Sequence, residues 1–222
     1  MKLYPILFEK IRSKDKFDIR EFKKLKTIPE VRNYIREHEL QKLGAGNSRI
    51  VYALSSRFAL KIALFNQGLE QNEAEVQLSK TPGVENVIAK VHSYDPEYKW
   101  IIADLVRPLN WLRKPKEAKD FENKTGVSNQ EFSELLSYSS NKQFSDRSYG
   151  DNPQDNKNPW DNYPNNKFLI GLHKLIDSGV SAPDLGRLEQ YGITPDGRVV
   201  ILDYGGTVSV LTKKPSSENS DL

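Results

Sequence analysis

Residues 182–192 read Ala182-Pro183-Asp184-Leu185-Gly186-Arg187-Leu188-Glu189-Gln190-Tyr191-Gly192, and residues 199–205 read Val199-Val200-Ile201-Leu202-Asp203-Tyr204-Gly205. Between them, Thr194-Pro195-Asp196-Gly197 has the composition of a tight turn. Gln190–Ile193 and Val199–Leu202 should therefore pair as a hairpin. Asp184, Glu189 and Gln190 fall on a loop ahead of that hairpin, and Asp203 falls at its exit. An acid at the end of an apolar strand, followed by an aromatic residue and a glycine, is well placed to hold a divalent cation. Taken singly, each of these acids reads as a turn cap. Together they offer oxygen ligands for magnesium and a place for phosphate.

A second signal lies upstream, in Leu43-Gly44-Ala45-Gly46-Asn47-Ser48-Arg49-Ile50-Val51-Tyr52. Gly44 and Gly46 let the backbone approach a ligand closely, and free amides there can point at phosphate. A dinucleotide-binding loop would need a third glycine where Arg49 stands, and a helix directly after it. Ile50–Leu54 reads instead as a strand, so the glycines form a turn between two strands, a flap rather than a helix cap. Next comes Phe58-Ala59-Leu60-Lys61-Ile62-Ala63, an apolar strand carrying one lysine. An ammonium there is costly unless it finds a partner. Glu73 and Glu75, on the helix expected over about 68–80, both offer one.

The rest of the chain frames these signals. Thr27-Ile28-Pro29-Glu30 has the spacing of a capping box and starts a helix ending near His38. Strands are expected over 40–43, 50–55, 58–63, 87–94 and 99–106, and helix over 111–137 and 168–178. Residues 139–167 hold seven asparagines and four aspartates with almost no aliphatic side chain, which predicts a long mobile loop. Residues 9–26 are basic and read as the solvated face of an amphipathic helix. The chain of 222 residues carries a net charge of only +3, which calls for no nucleic-acid partner. It has no cysteine, so disulfides and thiolate chemistry are excluded. His38, His92 and His173 are too widely spaced to suggest a metal cluster. No apolar run is long enough to span a membrane and no secretory signal is evident, so a soluble cytoplasmic protein is expected, in the host cytoplasm if viral.

The order of these pieces is glycine flap, strand lysine, helix glutamate, further strands, helix, Asp184 loop, hairpin and Asp203-Tyr204-Gly205. In that order the sequence resembles the protein-kinase-like superfamily, and most of all the small divergent kinase-like proteins encoded by bacteriophages. The resemblance covers residues 40–109 and 168–206. It implies an α+β, two-lobed fold with a small antiparallel sheet and one helix in the N-lobe, and a reduced, mostly helical C-lobe. The corresponding division is a helical extension over 1–39, an N-lobe and hinge over 40–109, a C-lobe over 110–212 and a flexible tail over 213–222. The implied cofactors are ATP and Mg2+. By resemblance, Gly44 and Gly46 would cover the phosphates, and Lys61 would contact them while paired with Glu75. Asp104 and Val106 would offer backbone groups to adenine, Asp184 would be the catalytic aspartate, and Asp203 would bind metal with Gln190 or Glu189. The implied activity is phosphoryl transfer from ATP to an acceptor, which includes a protein substrate. Ala182-Pro183 replaces the histidine-arginine pair of the superfamily, no asparagine stands at Glu189 or Gln190, and nineteen residues follow Asp203. These departures motivate an alternative, a pseudokinase module that regulates a partner protein without catalysis.

Overall fold

A reciprocal capping box opens the first long helix. Thr27 Oγ1 accepts the Glu30 N–H at 3.3 Å, while Glu30 Oε2 accepts the Thr27 N–H at 2.9 Å. Backbone N–H groups of Lys26 and Thr27 hold the Glu30 carboxyl below the usual carboxylate range. The helix so started, α2 (Ile28–Glu37), follows a single turn, α1 (Ile19–Phe22). Residues 18–109, 115–145, 158–187 and 190–202 are described in this computed structural model. Asp203, Glu189, the start of the basic 9–26 run and the 213–222 tail lie outside them.

Five strands form an antiparallel sheet: β1 (Lys42–Ala45), β2 (Arg49–Ala53), β3 (Phe58–Ala63), β4 (Val91–Tyr94) and β5 (Trp100–Asp104), in the order β1-β2-β3-β5-β4. Alternation on β3 sends Leu60 and Ile62 to one face and Ala59, Lys61 and Ala63 to the other. The first face is covered by the N-terminal helices. Phe22, Val31, Tyr34 and Ile35 pack there with Leu60, Ile62, Trp100 and Ile102. Phe22 lies edge-on to Tyr34 and Trp100, at centroid distances of 5.3 and 4.9 Å. The described part of the 9–26 run has the amphipathic character expected of it: Phe22 is buried while the charged side chains are exposed. Helix α3 (Asn66–Leu78) is inserted between β3 and β4 and packs beside β3, β5 and β4. It begins two residues earlier than the sequence suggested, on Phe65 as an N-cap without a side-chain hydrogen bond.

After a short strand β6 (Arg107–Pro108), the second half is mostly helical: α4 (Pro115–Thr125), α5 (Asn129–Ser145), α6 (Lys167–Asp177) and the single turn α7 (Ala182–Leu185). The stretch read as helix over 111–137 is two helices, separated at Gly126, whose φ of +70° only glycine adopts easily. Ser128 restarts it, accepting the Glu131 N–H while Glu131 Oε2 accepts the Ser128 N–H at 2.8 Å. The expected loop over 139–167 needs correction at both ends. Helix continues through Ser145, and Pro159–Asn162 form a 3-10 turn that buries Trp160, whose Nε1 donates to Ser139 Oγ at 3.0 Å. The polar composition hid one anchoring aromatic. β7 (Tyr191–Ile193) and β8 (Val199–Ile201) form the expected hairpin and pair with β6 in a second, three-stranded sheet. The core of this half gathers Phe121, Phe132, Phe168 and Tyr191, with ring centroids 5.3–6.3 Å apart. It also takes in Val84, Val87 and Ile88, from the segment leading into β4. The fold is mixed α/β, an antiparallel sheet with helices on both faces joined to a helical half that carries a small sheet.

Candidate functional site

The site is built around Lys61, at the centre of β3, between β2 and β5. Its Nζ donates to Glu75 Oε2 at 2.6 Å and to Glu75 Oε1 at 2.9 Å. Glu75 has no exposed surface, whereas Glu73 is half-buried on the same helix, so the geometry selects Glu75 as the lysine's partner. Burial by itself would raise the Glu75 carboxyl; Lys61 and Arg49 outweigh it and bring the group below the usual carboxylate range. Arg49 was not anticipated as a participant. It starts β2, is buried, and its Nη1 reaches Glu75 Oε1 at 2.5 Å and Asn72 Oδ1 at 3.4 Å. A single sequence offers no signal for this, because a basic residue after a glycine turn reads as exposed.

Lys61 also reaches across to the hairpin. Its Nζ donates to the carbonyl oxygen of Leu202 at 3.3 Å. Leu202 directly precedes Asp203 in the sequence, so the lysine touches the residue before that acid. The Leu202 N–H donates to the Gln190 carbonyl at 2.6 Å, which brings Gln190 alongside. Gln190 Oε1 is buried and has no hydrogen-bond partner among the described residues. A buried amide oxygen without a donor is costly, and a hard cation would satisfy it. Among the described residues no three acids or histidines cluster as a metal group.

The glycine turn has the antiparallel form expected. Gly44 pairs with Val51 and Ala45 with Ile50, and the Gly46 N–H donates to the Arg49 carbonyl at 2.8 Å, closing the turn. Ser48 fixes it to α3, donating from Oγ to Gln71 Oε1 at 2.6 Å and accepting the Leu64 N–H on its carbonyl at 2.8 Å.

Asp104 is engaged through both its N–H and its carboxylate. Its N–H donates to the Lys90 carbonyl at 3.0 Å, and its carboxylate takes the Lys90 N–H, His92 Nε2 at 2.7 Å and Arg198 Nη2 at 3.3 Å. It ties the sheet edge to the hairpin. The Leu105 N–H is also used, by the Arg57 carbonyl at 2.7 Å. Val106 is different: among the described residues its N–H has no backbone partner. Leu105 and Val106 enter two small apolar clusters. Leu105 joins Leu43, Val51, Ala53 and Ala59, and Val106 joins Ala89, Val200 and Leu202.

Asp184 lies not on an open loop but in the helical turn α7, about a third exposed, with Arg187 Nη2 3.8 Å from its Oδ1. The turn is held by Tyr191, whose buried hydroxyl donates to the Leu185 carbonyl at 2.7 Å. Desolvation pushes the Tyr191 hydroxyl well above its ordinary value, so it stays a donor. Lys61 thus meets Glu75 and the Leu202 carbonyl at one corner, with the Gln190 backbone beside Leu202, while the Asp104 carboxylate bonds Lys90, His92 and Arg198 and Asp184 lies on α7.

No protein-family model and no curated protein match the chain. Among solved structures it is similar to the ternary complex of streptomycin, ATP and APH(2")-IIa. That likeness has 9% identity and a TM-score of 0.37, over 82% of this chain and 72% of the other. A likeness of that degree carries no weight for activity, and what the chain does is read from its own residues.

Proposed function

We propose that the protein binds ATP with magnesium through a kinase-like arrangement and transfers a phosphoryl group to an acceptor hydroxyl. The observation that carries this reading is the double engagement of Lys61, held by Glu75 from the helix and by the Leu202 carbonyl one residue before Asp203. A lysine fixed between a helix carboxylate and a hairpin carbonyl is arranged to meet a polyphosphate. The adenine would lie between the Leu43–Ala59–Leu105 cluster and the Val106–Val200–Leu202 cluster, with the Val106 N–H as a donor to it. Gln190 and Asp203 would hold the magnesium ion, which fits a buried Gln190 Oε1 that has no hydrogen-bond partner among the described residues. The ion supplies positive charge against the phosphate oxygens.

The chain's own groups would do the rest. The glycine turn covers the phosphates, and Lys61 orients them. Asp184 would take the proton of the acceptor hydroxyl as its oxygen bonds to the γ-phosphorus and the bond to the β-phosphate oxygen breaks, releasing ADP. A second reading, nucleotide binding without turnover, is favoured by the place of Asp184 in a helical turn beside Arg187. ATP turnover in the presence of magnesium, measured for wild type and Asp203→Asn, separates the two. Phosphoryl transfer predicts turnover that the variant loses by at least about a hundredfold, as removal of one electrostatic stabiliser typically costs. Turnover equal in both proteins would sink the catalytic reading.

A further inference from the structure

Glu75 is held from two sides, and the second holder belongs to the glycine turn. Arg49 closes the turn with its backbone, since its carbonyl accepts the Gly46 N–H at 2.8 Å. The same residue grips the helix with its side chain, through Glu75 Oε1 at 2.5 Å and Asn72 Oδ1 at 3.4 Å. Asn72 is fully buried and in turn donates from Nδ2 to the Tyr98 carbonyl at 2.8 Å, so it is itself fixed. Two further contacts run between the same elements: Ser48 Oγ to Gln71, and the close seating of Gly68 against the Ser48 carbonyl. A Cβ at Gly68 would lie 2.3 Å from that oxygen and 3.0 Å from Ala63 Cα, so the turn and α3 meet at a spacing only glycine permits.

From these contacts we infer that Arg49 is a positioning residue that couples the glycine turn to Glu75. The inference rests on the nucleotide-binding reading given above. It explains how Lys61 can turn from Glu75 to a phosphate without stranding a buried carboxylate. Lys61 occupies both carboxylate oxygens, and Arg49 shares Oε1. When the ammonium moves, the guanidinium still neutralises the group, and the helix keeps its place. Because the turn is fastened to the same carboxylate, the amides that would face phosphate and the lysine that would meet it are set by one joint. The apolar clusters expected to hold adenine do not include Arg49. Its influence should therefore fall on the phosphates and spare the base.

The test is the affinity of Mg-ATP and of adenosine, measured by competition on the full chain for wild type, Arg49→Met and Arg49→Lys. Arg49→Met keeps the apolar stem and drops the charge. It is expected to weaken Mg-ATP by about tenfold or more, equivalent to about 1.4 kcal/mol. Adenosine should stay within about twofold, and Arg49→Lys should restore most of the Mg-ATP affinity, as a cation facing Glu75 requires. If Arg49→Met does not fold, Arg49→Gln takes its place. Mg-ATP binding unchanged in the variant overturns the inference alone. So does an equal loss for ATP and adenosine, the mark of a merely structural role. Absence of Mg-ATP binding in the wild type overturns the nucleotide-binding reading, and the inference with it.

Discussion

Glu75 is a carboxylate with no exposed surface and two cations upon it. Its removal should be felt strongly. Glu75→Gln leaves Lys61 and Arg49 side by side in the interior without their shared anion, and should destabilise the fold by about 3–5 kcal/mol in urea denaturation. The pH dependence follows from the direction of its shift. A carboxyl held below its ordinary value in the folded state stabilises the fold above the unfolded pKa, and that stability is lost as pH falls through the folded value. Wild type should therefore weaken on the acid side of the usual carboxylate range, and Glu75→Gln should flatten that limb. An acid limb equally steep in the variant would show that other carboxylates dominate. At this scale the sequence was informative about Lys61, because an ammonium in an apolar strand demands a partner. It left Glu73 beside Glu75 on one helix, the resemblance favoured Glu75, and the buried ion pair is with Glu75.

At the scale of elements, the joint between the glycine turn and α3 is the most sensitive piece. Gly68→Ala should gain a little helix propensity, up to about 1 kcal/mol. It should lose more, because the added methyl meets the Ser48 carbonyl and the Ala63 backbone, neither of which can rotate away. A net destabilisation of about 1–3 kcal/mol in thermal or urea unfolding is expected, as for overpacking of a close contact. A stabilised variant would contradict the seating described. Elements with a strong local code were legible. The capping box of α2, the strand β3 and the β7–β8 hairpin fall where pattern and turn chemistry put them. Elements fixed by distant contacts were not. The 3-10 turn at Pro159–Asn162 owes its place to Trp160 bonding Ser139 and stacking on His173 at 4.7 Å, twenty-one and thirteen residues away. No local composition encodes such a contact.

At the scale of the molecule, the hairpin binds the sheet to the helical half. Arg198 reaches Asp104 and the Glu85 carbonyl, the Ile201 N–H donates to the Val87 carbonyl at 2.8 Å, and Leu202 accepts from Lys61. These links set the corner where Lys61, Glu75 and Gln190 meet. They give Asp104, which reads as a hinge residue in the sequence, a side-chain tie to Arg198 as well. The order of glycine turn, lysine strand, glutamate helix and terminal hairpin was legible because each piece has its own residue chemistry. The long-range ties were not, because arginine and aspartate far apart in a chain carry no sign of their pairing.

Calorimetry decides whether this corner is a nucleotide site. Mg-ATP is titrated into wild type and Lys61→Ala, with a parallel titration in the absence of magnesium. Saturable binding by wild type is expected, with weaker binding without magnesium and a loss of about tenfold or more in Lys61→Ala, the scale of one charge-assisted contact. Binding of equal strength in Lys61→Ala, or no binding by wild type, would contradict it.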